Sequence, residues 1–296
     1  MESNLNGGID LHIHSTASDG TYAPADLLRM AVRLGLNAIA ITDHDILEGS
    51  RLALGGAVPA GLELISGVEI SVNAPADGPV EGSMHVLGYG IDLDDPALNA
   101  ALAELRDARN RRIPAIVTRL RDLGVEIALD DVLEQAGGGA PGRPHVASVL
   151  VRIGAARDID DAFQKYLAGG RPAYVDKYRL DCRRAFDLIR GAGGVPVLAH
   201  PFLIRSRREH WMGPLLRRLT EIGLMGVEAY YPKHPPEIVE LIKTEAREYG
   251  LLITGGSDFH GQLTPGVQMG RGFGDLFVPA ELFDALKAAC RDLRAP

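Results

Sequence analysis

Short runs of β-branched and apolar residues recur along this chain, each carrying a histidine or an acid, with segments of helical period between them. GIDLHIHS at 8–15, AIAITDHD at 38–45, LELISGVEIS at 62–71 and SMHVLGYGI at 83–91 read as four successive strands. In the fourth, alternating apolar positions set the register. VPVLAH at 195–200, MGVEAYY at 225–231 and LLITGGSD at 251–258 resume the rhythm after a long gap. Pro24 to Leu34 reads as a helix with Leu27, Leu28, Ala31 and Leu34 inward, and a second helix spans about Pro235 to Tyr249. Repeated β-α units of this kind predict an α/β fold on a parallel sheet, either closed as a barrel or doubly wound.

The stretch between the fourth and fifth strands has a different character. Asp95 and Pro96 look like a helix N-cap followed by proline at the first helical position. Leu98, Leu102, Leu105, Ile113, Ile116, Leu120 and Leu123 then follow a 3.6-residue period, and Gly124 sits where a C-terminal glycine would. Pro114 is expected to bend or divide this helix. Further short helices are expected at 130–136, 144–153 and 158–167, the first two linked by GGGAPG at 137–142. The predicted organisation is a barrel built from 1–91 and 182–296, carrying an all-helical insert at 92–181 that contributes substrate binding.

Aromatic residues make up only 5% of the chain, so the core must rest on Leu, Ile, Val and Ala, which suits parallel strands covered by helices. A formal net charge of −8 argues against coating long duplex DNA, while leaving room for a local basic pocket. The two cysteines, Cys182 and Cys290, are far apart and form no CxxC pattern, so neither a disulfide framework nor a zinc-thiolate site is expected. MESNLNGG at the N-terminus lacks the basic start and apolar run of a signal peptide. No apolar stretch approaches the roughly 18 residues of a membrane span. The expectation is a cytoplasmic protein without a membrane partner.

The distribution of histidines and acids points to chemistry. His12 and His14 stand two apart on one strand, so their side chains leave the same face. Asp19 follows in the adjoining loop, His44 ends strand two, Glu69 ends strand three, and His85 lies in strand four. His200 closes the next strand, and Asp258 and His260 follow the last one. Each alone has an ordinary explanation: an edge histidine, a solvated turn, a carboxylate satisfied by backbone. Together they would all have to reach one barrel rim by accident, because the C-terminal strand ends of a parallel barrel meet at one face. Histidine and carboxylate ligands without thiolate suit Mn²⁺, Zn²⁺ or Fe²⁺.

DLHIHSTASDG, AITDHD, GVEIS, MHVLG, AHP and GSDFH resemble, in order, the motifs of the PHP (polymerase and histidinol phosphatase) domain family, over about 8–91 and 185–270. GRPHVA at 142–147 and FQKYLAGGRPAYV at 163–175 further resemble the nucleoside 3′,5′-bisphosphate phosphatase branch, whose members are also described as RNase AM, a 5′-to-3′ exonuclease on short RNA. The resemblance implies a distorted (β/α)7 TIM-like barrel and three metal ions, most simply Mn²⁺. It implies His12, His14, Glu69 and Asp258 around the first ion, and Glu69 bridging to a second held by His85 and His200. Asp19, His44 and His260 would hold the third. It places catalysis on Asp19, His44, Glu69, Asp258 and His260.

The chemistry expected is in-line attack on phosphorus by a metal-bridging hydroxide, without a phospho-enzyme. Arg143 and His145, with Lys165 behind them, are the candidates for gripping a substrate phosphate, since arginine can do so with two parallel bonds. Arg171 and Tyr174 are weaker ones. Arg106, Arg109, Arg111 and Arg112 form a basic run that reads as a solvated face. His210 and His234 fall in no motif and read as ordinary surface or loop residues. The expected reaction is removal of the 3′-phosphate from small nucleoside 3′,5′-bisphosphates, such as phosphoadenosine phosphate. The alternatives are 5′-to-3′ hydrolysis of short 5′-phosphorylated RNA, a histidinol-phosphate-type phosphatase, or a non-catalytic metal-binding module. The partner is thus a small nucleotide or a short oligoribonucleotide.

Overall fold

A computed structural model of the chain describes residues 7–136, 141–204, 206 and 209–294. Contacts divide the chain into two compact units, 1–102 with 179–296, and 103–178.

The first unit is a mixed sheet, nearly closed into a barrel and surrounded by helices. Its strands are β1 (Ile9–Ile13), β2 (Ala38–Ile41), β3 (Glu63–Asn73), β4 (Ser83–Tyr89), β5 (Leu180–Asp181), β6 (Val195–Leu198), β7 (Gly226–Tyr230) and β8 (Leu252–Gly255). They lie in the order β1-β2-β3-β4-β6-β7-β8, with β5 paired to the end of β3. A bridge from Ile13 to Phe259 links the two ends of that order.

One strand breaks the parallel pattern expected from the sequence. β4 runs antiparallel to both β3 and β6. Residues 74–82 that join it to β3 are too few for a parallel crossover, which needs a dozen or more. The reversal matters for the site. In an antiparallel strand the beginning, not the end, lies at the rim where its neighbours finish, so His85 is delivered to the same rim as Glu69 through the pairing of Ser71 with His85.

Helix α1 (Pro24–Leu34) buries Leu27, Leu28 and Ala31 against Ile39 and Ile41, and ends on Gly35 at φ 72°. The left-handed turn there suits glycine, which has no Cβ to clash. Between β2 and β3 comes α2 (Glu48–Gly55). The chain then continues through α3 (Pro96–Asp122), α4 (Leu129–Gln135), α5 (Arg143–Arg152) and α6 (Ile159–Ala162), followed by α7 (Cys182–Gly191), α8 (Met212–Glu221), α9 (Pro236–Glu248) and α10 (Glu281–Arg294). Phe283, Leu286 and Cys290 of α10 pack with Ile9, Ala38, Tyr89 and Val195 at the end of the sheet away from the histidines. Both cysteines are buried and free.

The second unit has its own core, formed by Ile113, Ile116, Val117 and Leu120 of α3 with Val132, Val146, Val149, Leu150 and Leu167. α3 starts where the sequence places it, with the Asp95 carboxylate accepting the Leu98 N–H at 2.7 Å. It is not divided at Pro114, and runs through it as one helix of 27 residues. The helix expected at 158–167 is a short α6 followed by a π-helical turn at Phe163–Leu167. Of the GGGAPG linker, residues 137–140 lie outside the described residues. No helix among the described residues is long and apolar enough to cross a membrane.

Candidate metal centre

His12 lies in β1 and His14 just beyond it, on one face. His44 is bridged to Glu69 of β3. His200 follows β6 at φ 29°, and Asp258 follows β8 at φ 53°. With Asp45 at φ 56°, these are three of the four non-glycine residues with positive φ among the described residues. Each such backbone costs about 1–3 kcal/mol and persists only where its surroundings enforce it. Strain therefore gathers around the histidines.

Glu69, 1% exposed, is the hub. Its Oε1 lies 2.9 Å from His85 Nδ1 and 3.0 Å from His200 Nε2. Its Oε2 lies 2.9 Å from His44 Nδ1, 3.3 Å from His14 Nε2 and 3.4 Å from His12 Nε2. The Asp258 Oδ1 stands 3.4 Å from His12 Nε2 and 3.2 Å from His14 Nε2. Asp19 approaches His14 at 3.5 Å, His260 at 3.4 Å and His44 at 3.8 Å.

Donor atoms within 4.8 Å of one another fall into three groups: His12, His14, Glu69 and Asp258; His44, Glu69 and His85; and His14, Asp19, His44 and His260. The first matches the set implied by the resemblance. The second has His44 where that set has His200, and the third gains His14, so His14 and His44 each face two centres with their two ring nitrogens.

Many of these contacts are close without being hydrogen bonds. His12 Nε2, both ring nitrogens of His14, His44 Nδ1 and Glu69 Oε2 are buried and have no hydrogen-bond partner. Atoms bound to one ion at about 2.1 Å, at tetrahedral to octahedral angles, stand roughly 3.0–3.4 Å apart. Lone pairs that converge on a common point at such spacings, rather than on one another, are what a divalent cation needs. The residues fit.

The electrostatics agree. Burial would raise Glu69, but the imidazoles of His44, His85 and His12 hold it well below the usual carboxylate range. Burial likewise opposes ionisation of Asp258, and His12 and His14 override it. His14 is pushed the other way: burial would lower it, yet Asp258 and Glu69 hold it up at about 10. A cation entering the cage takes over the role of those protons.

Around the cage stands a second ring of groups that the sequence reading did not single out. Glu228 of β7, fully buried, lies 2.9 Å from His12 Nδ1 and accepts the His200 N–H at 2.7 Å. Asp10 accepts from Ser257 N, Ser257 Oγ and Gly270 N. Asp43 accepts from the Ser15 N–H and hydroxyl and from the Ser18 hydroxyl, and so holds the loop that carries Asp19. Tyr231 donates its hydroxyl to Asp258 Oδ2 at 3.0 Å. The signal for Glu228 was legible: a lone acid in the apolar run MGVEAYY must be paired if it is buried.

The remaining candidates lie in the helical unit. Arg143, half-buried, donates to the Leu167 carbonyl at 3.2 Å, and its guanidinium lies over the rings of Phe163 and Tyr174 at 5.7 and 5.5 Å. His145 accepts the Gly142 N–H at 2.9 Å. Lys165 is turned to Asp161, 2.7 Å away. In the basic run, Arg112 donates to the Val175 carbonyl. His234 lies in a loop, as expected, but not at the surface: it is 7% exposed, with Nδ1 2.8 Å from the Ala229 carbonyl. A loop histidine is buried here because the loop folds back onto β7, which no local pattern announces. His210 is exposed.

Known proteins resemble the chain over nearly its full length. The 5′-3′ exoribonuclease Rnm of Escherichia coli K12 is 34% identical over 273 residues, spanning 92% of this chain and 90% of its own. The 3′,5′-nucleoside bisphosphate phosphatase of Chromobacterium violaceum is 32% identical over 253 residues, 85% of this chain and 87% of its own. A crystal structure from Bifidobacterium adolescentis, assigned to the metal-dependent phosphoesterases, superposes with a TM-score of 0.77 at 31% identity, covering 96% of each chain. The PHP domain family model matches residues 10–127. With these relatives and this cage of histidines and acids, the chain belongs to the PHP domain family of phosphoester hydrolases.

Proposed function

We propose that this enzyme hydrolyses the 3′-phosphoester of nucleoside 3′,5′-bisphosphates, and that the helical unit at 103–178 holds the 5′-phosphate. The observation that carries the reading is the set of buried nitrogen and oxygen atoms converging around Glu69 without hydrogen-bond partners. Divalent ions, Mn²⁺ in the first place with Zn²⁺ or Fe²⁺ as alternatives, would lower the pKa of a water and neutralise charge on the phosphoryl oxygens.

The protein's own residues supply the rest. His12, His14, Glu69 and Asp258 would hold one ion, Glu69 with His85 and His200 a second, and Asp19, His44 and His260 a third. Glu228 and Tyr231 keep His12 and Asp258 in place. Asp19, 38% exposed, and His85, 29% exposed, mark the open side through which a phosphate reaches the cage. Arg143 is held by Leu167 and two aromatic rings while most of its five donors stay available, which suits a phosphate grip. His145 assists. The ion pair of Lys165 with Asp161 makes it the weakest of the three.

Similarity to the Chromobacterium violaceum phosphatase supports the bisphosphate substrate. Similarity to the Escherichia coli exoribonuclease supports a second reading, 5′-to-3′ hydrolysis of short 5′-phosphorylated RNA. Both need a grip on a 5′-phosphate and a 3′-phosphoester at the cage. The test is a hydrolysis panel with Mn²⁺, containing 3′,5′-bisphosphates, 2′,3′-cyclic nucleotides, histidinol phosphate and 5′-phosphorylated short RNA. Turnover of bisphosphates that falls in Arg143→Ala at unchanged metal content is expected. Turnover of none by metal-loaded protein would remove the phosphoesterase reading, and an Arg143→Ala enzyme with unaltered kinetics would remove the 5′-phosphate assignment.

A further inference from the structure

The 3-10 turn at Pro201–Leu203 begins directly after His200 and presents two adjacent apolar side chains, Phe202 at 43% and Leu203 at 44% exposure. Beneath it lies a column of rings. Phe202 meets His234 edge-on, with centroids 6.1 Å apart at 90°. His234 is fixed to the Ala229 carbonyl and stands 5.0 Å from the ring of Tyr231. Tyr231, 5% exposed, lies 5.3 Å from His200 and donates to Asp258. An exposed ring thus rests on a buried column that ends at the cage, all within the barrel unit.

A scattered exposed hydrophobe needs no explanation, but two adjacent ones, on a turn that follows a cage residue and is backed by fixed rings, form a platform. The chemistry that fits such a platform beside a phosphoester site is a flat, weakly polar ring joined to the phosphate through a sugar. We propose that Phe202 stacks on a nucleobase of the substrate. This rests on the phosphoesterase reading and adds to it the group recognised. Stacking on a phenyl face reads no base edges, so the contact tolerates all four bases.

The test compares wild type, Phe202→Ala and Phe202→Tyr on adenosine 3′,5′-bisphosphate and on the abasic ribose 3,5-bisphosphate. It adds 5′-phosphorylated dinucleotides with an abasic site at the first or second position, which locate the stacked base. Phe202→Ala should lower kcat/KM about tenfold, chiefly through KM, wherever the stacked base is present. It should change nothing where that base is missing, and Phe202→Tyr should restore the rate. Equal losses with and without bases, or no loss at all, would overturn the stacking. Calorimetric binding of adenosine 5′-monophosphate, about tenfold weaker in Phe202→Ala, reads the contact without turnover. Nucleotide binding of this kind without hydrolysis would sink the phosphoesterase reading and leave the stacking standing.

Discussion

The Glu228 carboxylate and the His12 imidazole, both fully buried, meet at 2.9 Å through Oε1 and Nδ1, and the other Glu228 oxygen accepts the His200 backbone N–H. One side chain on β7 thereby orients a histidine of β1 and the turn after β6. A carboxylate behind a histidine fixes its tautomer and raises its basicity toward an ion. Glu228→Gln keeps the size and one oxygen but loses the charge. Metal affinity should fall about 10- to 100-fold. Competition against a chromogenic chelator reads this directly, and unchanged affinity would make Glu228 a packing residue only.

Close approach of backbones sets a second expectation. A Cβ on Gly256 would stand 2.3 Å from His12 Cβ and 2.4 Å from the His12 nitrogen, atoms that no rotamer change can move. Gly256→Ala should cost about 3 kcal/mol or more and displace His12. Gly55, at the end of α2 with nothing within 4 Å of its Cβ, is the control. Gly55→Ala should be neutral or stabilising by about 0.5–1 kcal/mol. Chemical denaturation and bound-metal analysis of the two variants decide it; equal stabilities would refute the crowding argument.

Asp161 provides a pH test away from the cage. Lys165 at 2.7 Å and the Arg157 N–H at 2.9 Å hold its carboxyl down at about 2, against an ordinary 3.8. The unfolded chain then binds more protons than the folded one between those values, so the contribution is present above about pH 4 and lost as pH falls through 2. The stability difference between wild type and Asp161→Asn should shrink steadily as pH is lowered over this window. A difference that stays constant in matched urea melts would show that Asp161 is not held in this way.

How much was legible follows from where each signal lives. His12, Glu69, His200 and Asp258 could be read because strand pattern and motif coincide there, although β3 runs on past Glu69 to Asn73 rather than ending at it. The reversal of β4 was readable in principle from the short 74–82 connection with its Pro75, Gly78, Pro79 and Gly82, but the β-α rhythm around it outweighed that sign. His234 could not be read, because its burial comes from a loop folding over β7. Nor could the positive φ of His200 and Asp258: aspartate and histidine enter that region more readily than most residues, but the preference is weak and the surroundings impose it. Asp10, Asp43 and Asp45 stood in view within two residues of a cage histidine. Their task, holding loops by accepting Ser and backbone N–H groups, depends on partners up to 260 positions away.

Tyr231 links the ring column to the cage, and its contribution can be separated from packing. Burial, with Asp258 and Glu228 close by, pushes its phenol far above the usual range, so it stays protonated and donates at every working pH. Tyr231→Phe keeps the ring against His200 and removes only the bond to Asp258 Oδ2. Hydrogen bonds to a charged acceptor are worth about 1.5–3 kcal/mol, so a rate or metal-affinity loss of at least about tenfold is expected. Because no proton is exchanged, the loss should be the same from pH 6 to 9. A Tyr231→Phe enzyme whose defect disappears at one end of that range would mean that the phenol titrates, and the donor role assigned to it would be wrong.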